Sequence, residues 1–372
     1  MLYNHDTLLL PNVIKIFILA SVATITALSL TPFLTHFLYK YKLWRKEARV
    51  KTITGEEAPV FYGLHKEREV KVPRFGGLLI CGTTFLVAVF FFILSKIFKD
   101  NFWIQKLNFL SRSETWLPLF ALVAASILGF FDDLFQVFGK PSQVFLQKIW
   151  EGKGKYAAGG ISFARRLLLV ILIGLIGAWW FYYKLDWNTI HVPFLGDFFI
   201  GIWYIPLFII VLLACWSGGV IDGLDGLAGG VFASIFGAFS IIAFTQGKFD
   251  LAAFSAVITG SVFAFLWFNI PPARFYMSET GTLGLTATLT VVAFLTDSVA
   301  VLPIIAGLLV IESASVILQL LSKKIRKKKI WLCTPIHHHF EAKGWPPYKV
   351  TMRFWIIGIV LAIIGVAIRL VG

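Results

Sequence analysis

The sequence predicts an all-α, polytopic membrane protein with about ten transmembrane helices, forming one integral-membrane domain over residues 1–372. Three observations carry this. Hydrophobic residues make up 58% of the chain and charged residues only 15%, with a mean hydropathy of +0.80, well outside the balance of soluble domains. The apolar residues run in windows of about 20, each long enough to cross a hydrocarbon core of ~30 Å. Lys and Arg gather in alternate connections between those windows, as expected of topogenic charge.

In chain order the spans are about 11–39, 76–98, 115–131, 166–184, 201–218, 226–246, 250–269, 281–297, 299–322 and 351–371. The third and eighth are short. The fifth and sixth meet at a turn crowded with Gly218, Gly219, Gly223 and Gly226. These runs are continuously apolar rather than alternating, which excludes a transmembrane β-barrel. Segments 40–75, 132–166, 217–228, 269–280 and 323–353 hold 26 of the 34 Lys and Arg. That asymmetry places these five segments in the cytoplasm and both termini in the periplasm. The first apolar stretch is longer than a signal-peptide core and its positive cluster follows it, so it reads as a retained span.

The formal charge of +14 is accounted for by this topology, and no nucleic-acid motif accompanies it. Cys81, Cys215 and Cys333 show no paired spacing and read as small buried hydrophobes rather than a disulfide or zinc framework.

The cytoplasmic connections carry the chemistry. Asp132 and Asp133 follow the third span, Asp222 and Asp225 the fifth, and Glu279 precedes the eighth. Any one of them is explained by solvation at a helix end, where a carboxylate is inexpensive. Five on the side that also bears Pro335-Ile336-His337-His338-His339-Phe340-Glu341 point to a shared site. Acids on the other side (Asp100, Glu114, Asp186, Asp197, Asp250, Asp297) are scattered singly. Paired carboxylates beside abundant Lys and Arg suit a polyanion bridged by Mg²⁺, which binds one or two carboxylates together with substrate phosphates. The Asp222-Gly223-Leu224-Asp225-Gly226 run lets the backbone approach a ligand closely, although Asp-Gly pairs are also ordinary turn chemistry. Three adjacent histidines on an extended or turning backbone cannot all point one way, so one or two of them are expected to make contacts; a zinc site would need spaced partners that the loop lacks. Arg74, beside Gly76-Gly77, reads equally as a positive-inside anchor or a phosphate clamp. Glu312 is the one acid expected well inside the membrane; Ser313, Ser315 or Gln319 would satisfy it, and it is left outside the site.

Four motifs together resemble one family. They are Gly129-Phe130-Phe131-Asp132-Asp133, Asp222-Gly223-Leu224-Asp225-Gly226-Leu227-Ala228, Phe268-Asn269 with Pro272-Ala273, and the His loop running to Lys343-Gly344-Trp345. They look like the polyprenyl-phosphate sugar-1-phosphate transferases, and the intact His loop is most similar to the phospho-N-acetylmuramoyl-pentapeptide transferases among them. The resemblance implies transfer of phospho-MurNAc-pentapeptide from UDP-MurNAc-pentapeptide to undecaprenyl phosphate with Mg²⁺, giving lipid I and UMP at the bacterial inner membrane. It implies catalytic roles for Asp132, Asp133, Glu279 and His338, with Glu279, Asp132 and Asp133 as metal ligands. Asp222, Gly223, Leu224, Asp225 and Asn269 would line a uridine pocket, Tyr276 would stack on uracil, and Arg74, His337 and His339 would contact substrate. The partners implied are the nucleotide substrate, the lipid acceptor and membrane lipid; a homodimer is allowed for, and no motif specifies one.

This chain departs from the family pattern at several positions. Glu279 stands where the family has a metal-binding Asp, Gln136 where it has Lys, and Gly219 where it has Asn. The missing lysine charge would have to come from Lys140 or Lys148. The Val72-Pro73-Arg74-Phe75-Gly76-Gly77 segment, with His65 upstream, looks more like the GlcNAc-1-phosphate transferases, which makes UDP-GlcNAc the alternative substrate. A transporter or flippase is the alternative outside enzymes; it would favour polar groups near the midplane and repeated halves, neither of which is visible here.

Overall fold

A computed structural model describes residues 3–48, 57, 59–111, 114–138 and 160–372. Lys140 and Lys148 lie outside these residues. Fourteen helices and one hairpin are present among the described residues: α1 (Tyr3–Lys40), α2 (Pro59–Glu69), α3 (Gly77–Ile97), α4 (Phe102–Leu107), α5 (Trp116–Phe138), α6 (Phe163–Trp179), α7 (Tyr204–Ser217), α8 (Leu227–Thr245), α9 (Phe249–Asn269), α10 (Ser278–Leu295), α11 (Leu302–Ile305), α12 (Gly307–Arg326), α13 (Ile336–Ala342) and α14 (Pro347–Val371). Eight helical stretches are long and apolar enough to cross a membrane: α1, α3, α5, α6 with its extension to Lys184, α7 with its flanking turns, α8, α9 and α14. The chain is a multi-pass helical protein, as the sequence predicts.

The expected eighth and ninth spans stand apart from those eight. Both are helices, α10 and α12, but neither is apolar enough to be one of the eight. The reason is their surroundings. Helix α10 is buried along its length apart from Glu279, and it packs against α5, α7 and α3. It is rich in threonine, and the hydroxyls of Thr282, Thr286, Thr288 and Thr290 donate to carbonyls one turn back, at 2.7–3.1 Å. A central helix that satisfies its own polar groups can do without an apolar surface.

Around α10, α1 packs on α9, α9 on α8, and α8 on α14. The expected end of the third span also moves. Helix α5 continues to Phe138, so Asp132 and Asp133 sit within its last turns and are buried, not in a following loop. The connection read as a loop after residue 184 contains an antiparallel hairpin, Thr189–Val192 with Gly196–Phe199, in the register Thr189↔Phe199. Its turn uses positive φ at Phe194 (67°) and Gly196 (87°). The C-terminal carbonyl of Gly372 accepts the Phe194 N–H, so the chain end lies beside this hairpin. All three cysteines are free, with Cys81 and Cys215 buried.

Candidate active site

The site is built where α5 crosses the start of α10. The crossing is close because position 129 is glycine: a Cβ there would collide with the Glu279 carbonyl. A second glycine contact, Gly77 against Gly281, draws the start of α3 to the same place. The first amides of α10, which lack partners within the helix, are therefore presented to the acids of neighbouring segments.

Asp133 takes them up. Its Oδ2 accepts the Thr280 N–H (2.9 Å) and the Thr280 hydroxyl (2.7 Å), while its Oδ1 accepts Nε of Arg74 (3.1 Å). Asp222 does the same from the other side, its Oδ2 accepting the Ser278 N–H at 2.7 Å. A carboxylate at a helix N-terminus also meets the favourable end of the helix dipole. Burial pushes the Asp222 carboxyl up to about 6, against the opposing pull of the Ser278 hydrogen bond and Arg74.

Asp132 faces another way. Its Oδ1 accepts the Ile161 N–H (2.7 Å), and its Oδ2 accepts Nη2 of Arg166 (2.8 Å) and Nε2 of Gln136 (2.5 Å). Arg166 also donates through Nη1 to Oε1 of Glu279 at 2.7 Å, so one guanidinium bridges two of the acids. At position 136, where glutamine replaces the family's lysine, the Gln136 carbonyl accepts from the Arg45 guanidinium, so positive charge reaches Asp132 indirectly. Sequence reasoning missed Arg166 and Arg45 because each reads as topogenic; the Arg165-Arg166 pair at the start of a span was the only signal available.

The glycine-rich turn is braced from several sides. Asn269 accepts the Gly226 N–H through Oδ1 (2.9 Å) and donates from Nδ2 to Phe275 O (2.8 Å). Asp225 accepts the Ala273 N–H (3.2 Å), and Thr351 and Trp355 donate to the carbonyls of Asp225 and Gly226 at 3.1 Å. Leu224, Asp225 and Asn269 are buried and hold the turn, whereas Asp222 and Gly223 are its half-buried members. Tyr276 is also half-buried, its backbone paired with Pro73 and Gly76.

The His segment forms a short helix, α13, rather than the extended or turning loop expected. His337 and His338 are buried and His339 half-buried, its Nδ1 accepting the Leu332 N–H at 3.2 Å. Nδ1 of His338 donates to Oε2 of Glu341 (2.8 Å), as does Nε2 of His65 from α2 (3.0 Å). These three side chains are near enough to hold an ion, but both ring N–H groups run onto the one carboxylate oxygen, where protons satisfy them. His337 and His338 both turn Nε2 toward Gly223. A Cβ on that glycine would collide with the first and lie 2.9 Å from the second, which is why the turn needs glycine at 223.

Burial holds His338 well below the ordinary imidazole value, helped by the neighbouring His337. Burial alone would raise Glu341, but hydrogen bonds from His338 and His65 outweigh it and hold that carboxyl at about 2. The unfolded chain therefore takes up protons at these positions, below about 6.5 for histidine and 4.3 for glutamate, that the folded chain refuses. Stability is present above those values and is lost on acidification. Thermal melts of the purified protein should show this decline starting from neutrality, with a shallower slope in Glu341→Gln only below about pH 4.3, where the carboxylate itself titrates; an unchanged slope there would contradict the assignment.

Phe75 and Phe130, in ring contact at 5.4 Å between centroids, line an apolar cavity of 270 Å³ together with Phe37, Leu38, Leu43 and Leu134 among others.

The chain is of a membrane-embedded transferase class: residues 115–297 match the family described as Glycosyl transferase family 4. The chain is 33% identical over 332 residues to the phospho-N-acetylmuramoyl-pentapeptide-transferase of Lactiplantibacillus plantarum, covering 89% of this chain and 92% of that protein. It is 31% identical over 352 residues to that of Anoxybacillus flavithermus (94% and 96%) and 32% over 342 residues to that of Bacillus subtilis (91% and 93%). The chain belongs to the phospho-N-acetylmuramoyl-pentapeptide-transferase family.

Proposed function

We propose that the protein transfers phospho-MurNAc-pentapeptide from UDP-MurNAc-pentapeptide to undecaprenyl phosphate, forming lipid I and UMP for peptidoglycan synthesis. It would act at the bacterial plasma membrane with the site facing the cytoplasm, where both substrates and the basic connections meet. The observation that carries this reading is the convergence of Asp132, Asp133, Asp222 and Glu279 with Arg74 and Arg166 at one end of the bundle, within a chain related along most of its length to such transferases.

An oxygen of the lipid phosphate attacks the β-phosphorus of the UDP-sugar, the bond to the α-phosphate oxygen breaks, and UMP leaves. Four acids face two guanidiniums here, a surplus of negative charge that suits a divalent cation. The hard-oxygen chemistry of Asp132 and Glu279 fits Mg²⁺, and these two residues would hold it. Asp133, also expected among the ligands, turns to Thr280 and Arg74 and away from the Arg166 guanidinium that Asp132 and Glu279 share. The ion would offset charge on the diphosphate. Arg166 is set to exchange a carboxylate for a phosphate oxygen, since guanidinium matches both. Arg74 and Asp133 fix the start of α10, and with it Glu279. The apolar cavity lined by Phe75, Phe130 and Leu134 suits the prenyl chain of the acceptor. A homodimer is compatible with this reading and no site residue requires one.

Purified protein supplied with undecaprenyl phosphate and Mg²⁺ should release UMP from UDP-MurNAc-pentapeptide and not from UDP-GlcNAc. Release from UDP-GlcNAc alone would transfer the reading to the related sugar, and flux across liposomes without UMP would end the transferase reading.

A further inference from the structure

Glu312 is completely buried in α12, and the polar neighbours the sequence offers it are committed elsewhere. The Ser313 hydroxyl accepts from Ser217 (2.9 Å), and Ser315 donates to the Glu312 backbone carbonyl (2.7 Å). Gln319 is occupied by the backbone of Ile330 and Trp331. What faces the carboxylate is Nδ1 of His337, 3.0 Å from Oε2, on a ring that is itself fully buried. Neither oxygen of Glu312 and neither nitrogen of His337 has a well-directed hydrogen bond, so among the described residues each group is the other's compensation for burial. An uncompensated carboxylate would not be kept at such a depth.

The adjacent residue repeats the arrangement. His338 rests its Nδ1 on Glu341, its ring centroid lies 4.1 Å from that of His337, and both rings turn Nε2 toward Gly223. A carboxylate at Nδ1 keeps the proton on that nitrogen and leaves the Nε2 lone pair facing Gly223. The two couples differ in origin: Glu341 lies on the same short helix as its histidine, whereas Glu312 reaches His337 from a different helix.

We propose that Glu312 is a positioning residue for the transfer reaction. Acting through His337, it fixes the ring and its Nδ1–H tautomer, so that Nε2 accepts a hydrogen bond from a donor group of the nucleotide substrate at the Asp222-Gly223 turn. The inference rests on the transferase reading for its functional consequence, but not for its structural half.

The test uses full-length protein in nanodiscs. With ¹⁵N-labelled histidine side chains, His337, identified by its loss in His337→Ala, should show protonated Nδ1 and bare Nε2 without any substrate, and Glu312→Gln should change that signature. In the UMP-release assay, Glu312→Gln should lower kcat by roughly 10- to 100-fold, the range commanded by groups that orient a histidine from behind, with little change in KM. It should cause no further loss in a His337→Ala background, and Glu312→Asp should recover part of the activity. A wild-type spectrum with the proton on Nε2, or additive losses in the double variant, would overturn the proposal. Absence of UMP release from the wild type would remove the transferase reading while leaving the tautomer measurement to decide the geometry.

Discussion

Asp132→Asn is expected to lower UMP release by on the order of 10²- to 10⁴-fold while leaving the melting temperature close to that of the wild type. The side chain keeps its shape and an oxygen for the Ile161 N–H, and Arg166 keeps Glu279 as a partner. What is lost is charge at the point where Arg166, Gln136 and the proposed ion meet. Asp133→Asn should lose turnover as well, but by a different route. Asp133 is wholly enclosed, accepts from Thr280 twice and pairs with the largely buried Arg74. Removing its charge leaves that guanidinium without a partner, and breaking a buried pair in this way costs about 3–5 kcal/mol. Its melting temperature should therefore fall clearly, whereas that of Asp132→Asn should not. Thermal scans of the two purified variants beside the UMP assay separate the roles; near-normal turnover in both would remove the site.

Adjacent in sequence, these acids were legible as a pair but not as a contrast. The motif marks both, because carboxylates at the end of an apolar run are visible in a linear reading. Which one points at Arg166 and which at Arg74 and the start of α10 depends on how α5 crosses α10 at Gly129, a relation between distant segments. The same limit explains Arg166. Its guanidinium joins Asp132 to Glu279, 113 positions further along the chain, yet in sequence it is one more cation beside a span. Glu312 was visible as an anomaly, and its expected partners were the serines and glutamine nearby because local spacing supplies nothing else; His337 comes from a separate helix. Helix α10 shows the converse. Its threonines lower its hydropathy, so it reads as a marginal span, although in the fold it is the central helix whose first residues hold Asp133 and Asp222. The motifs identified the chemistry, and the long-range packing decided which residue performs each part.

Gly223→Ala should reduce turnover by about 10²-fold, the scale of loss from an ångström-size displacement of reacting groups, and should cost about 1–3 kcal/mol of stability through overpacking. The added Cβ would meet Nε2 of His337 and lie 2.9 Å from Nε2 of His338. Neither ring can yield freely, since Glu312 and Glu341 hold the opposite nitrogens. The turn is equally constrained, with Asn269, Ala273, Thr351 and Trp355 bonded to its next residues. Two rigid parts are thus forced apart at the point where they are proposed to face the nucleotide. Gly219→Ala, four positions earlier, is the control: its nearest neighbour is Thr282 Cβ at 3.5 Å, an ordinary contact, and both turnover and melting should stay near wild type. If Gly223→Ala alone keeps wild-type turnover, the His helix and the Asp-Gly turn do not form one working surface, because the clash that couples them would have no consequence for the reaction.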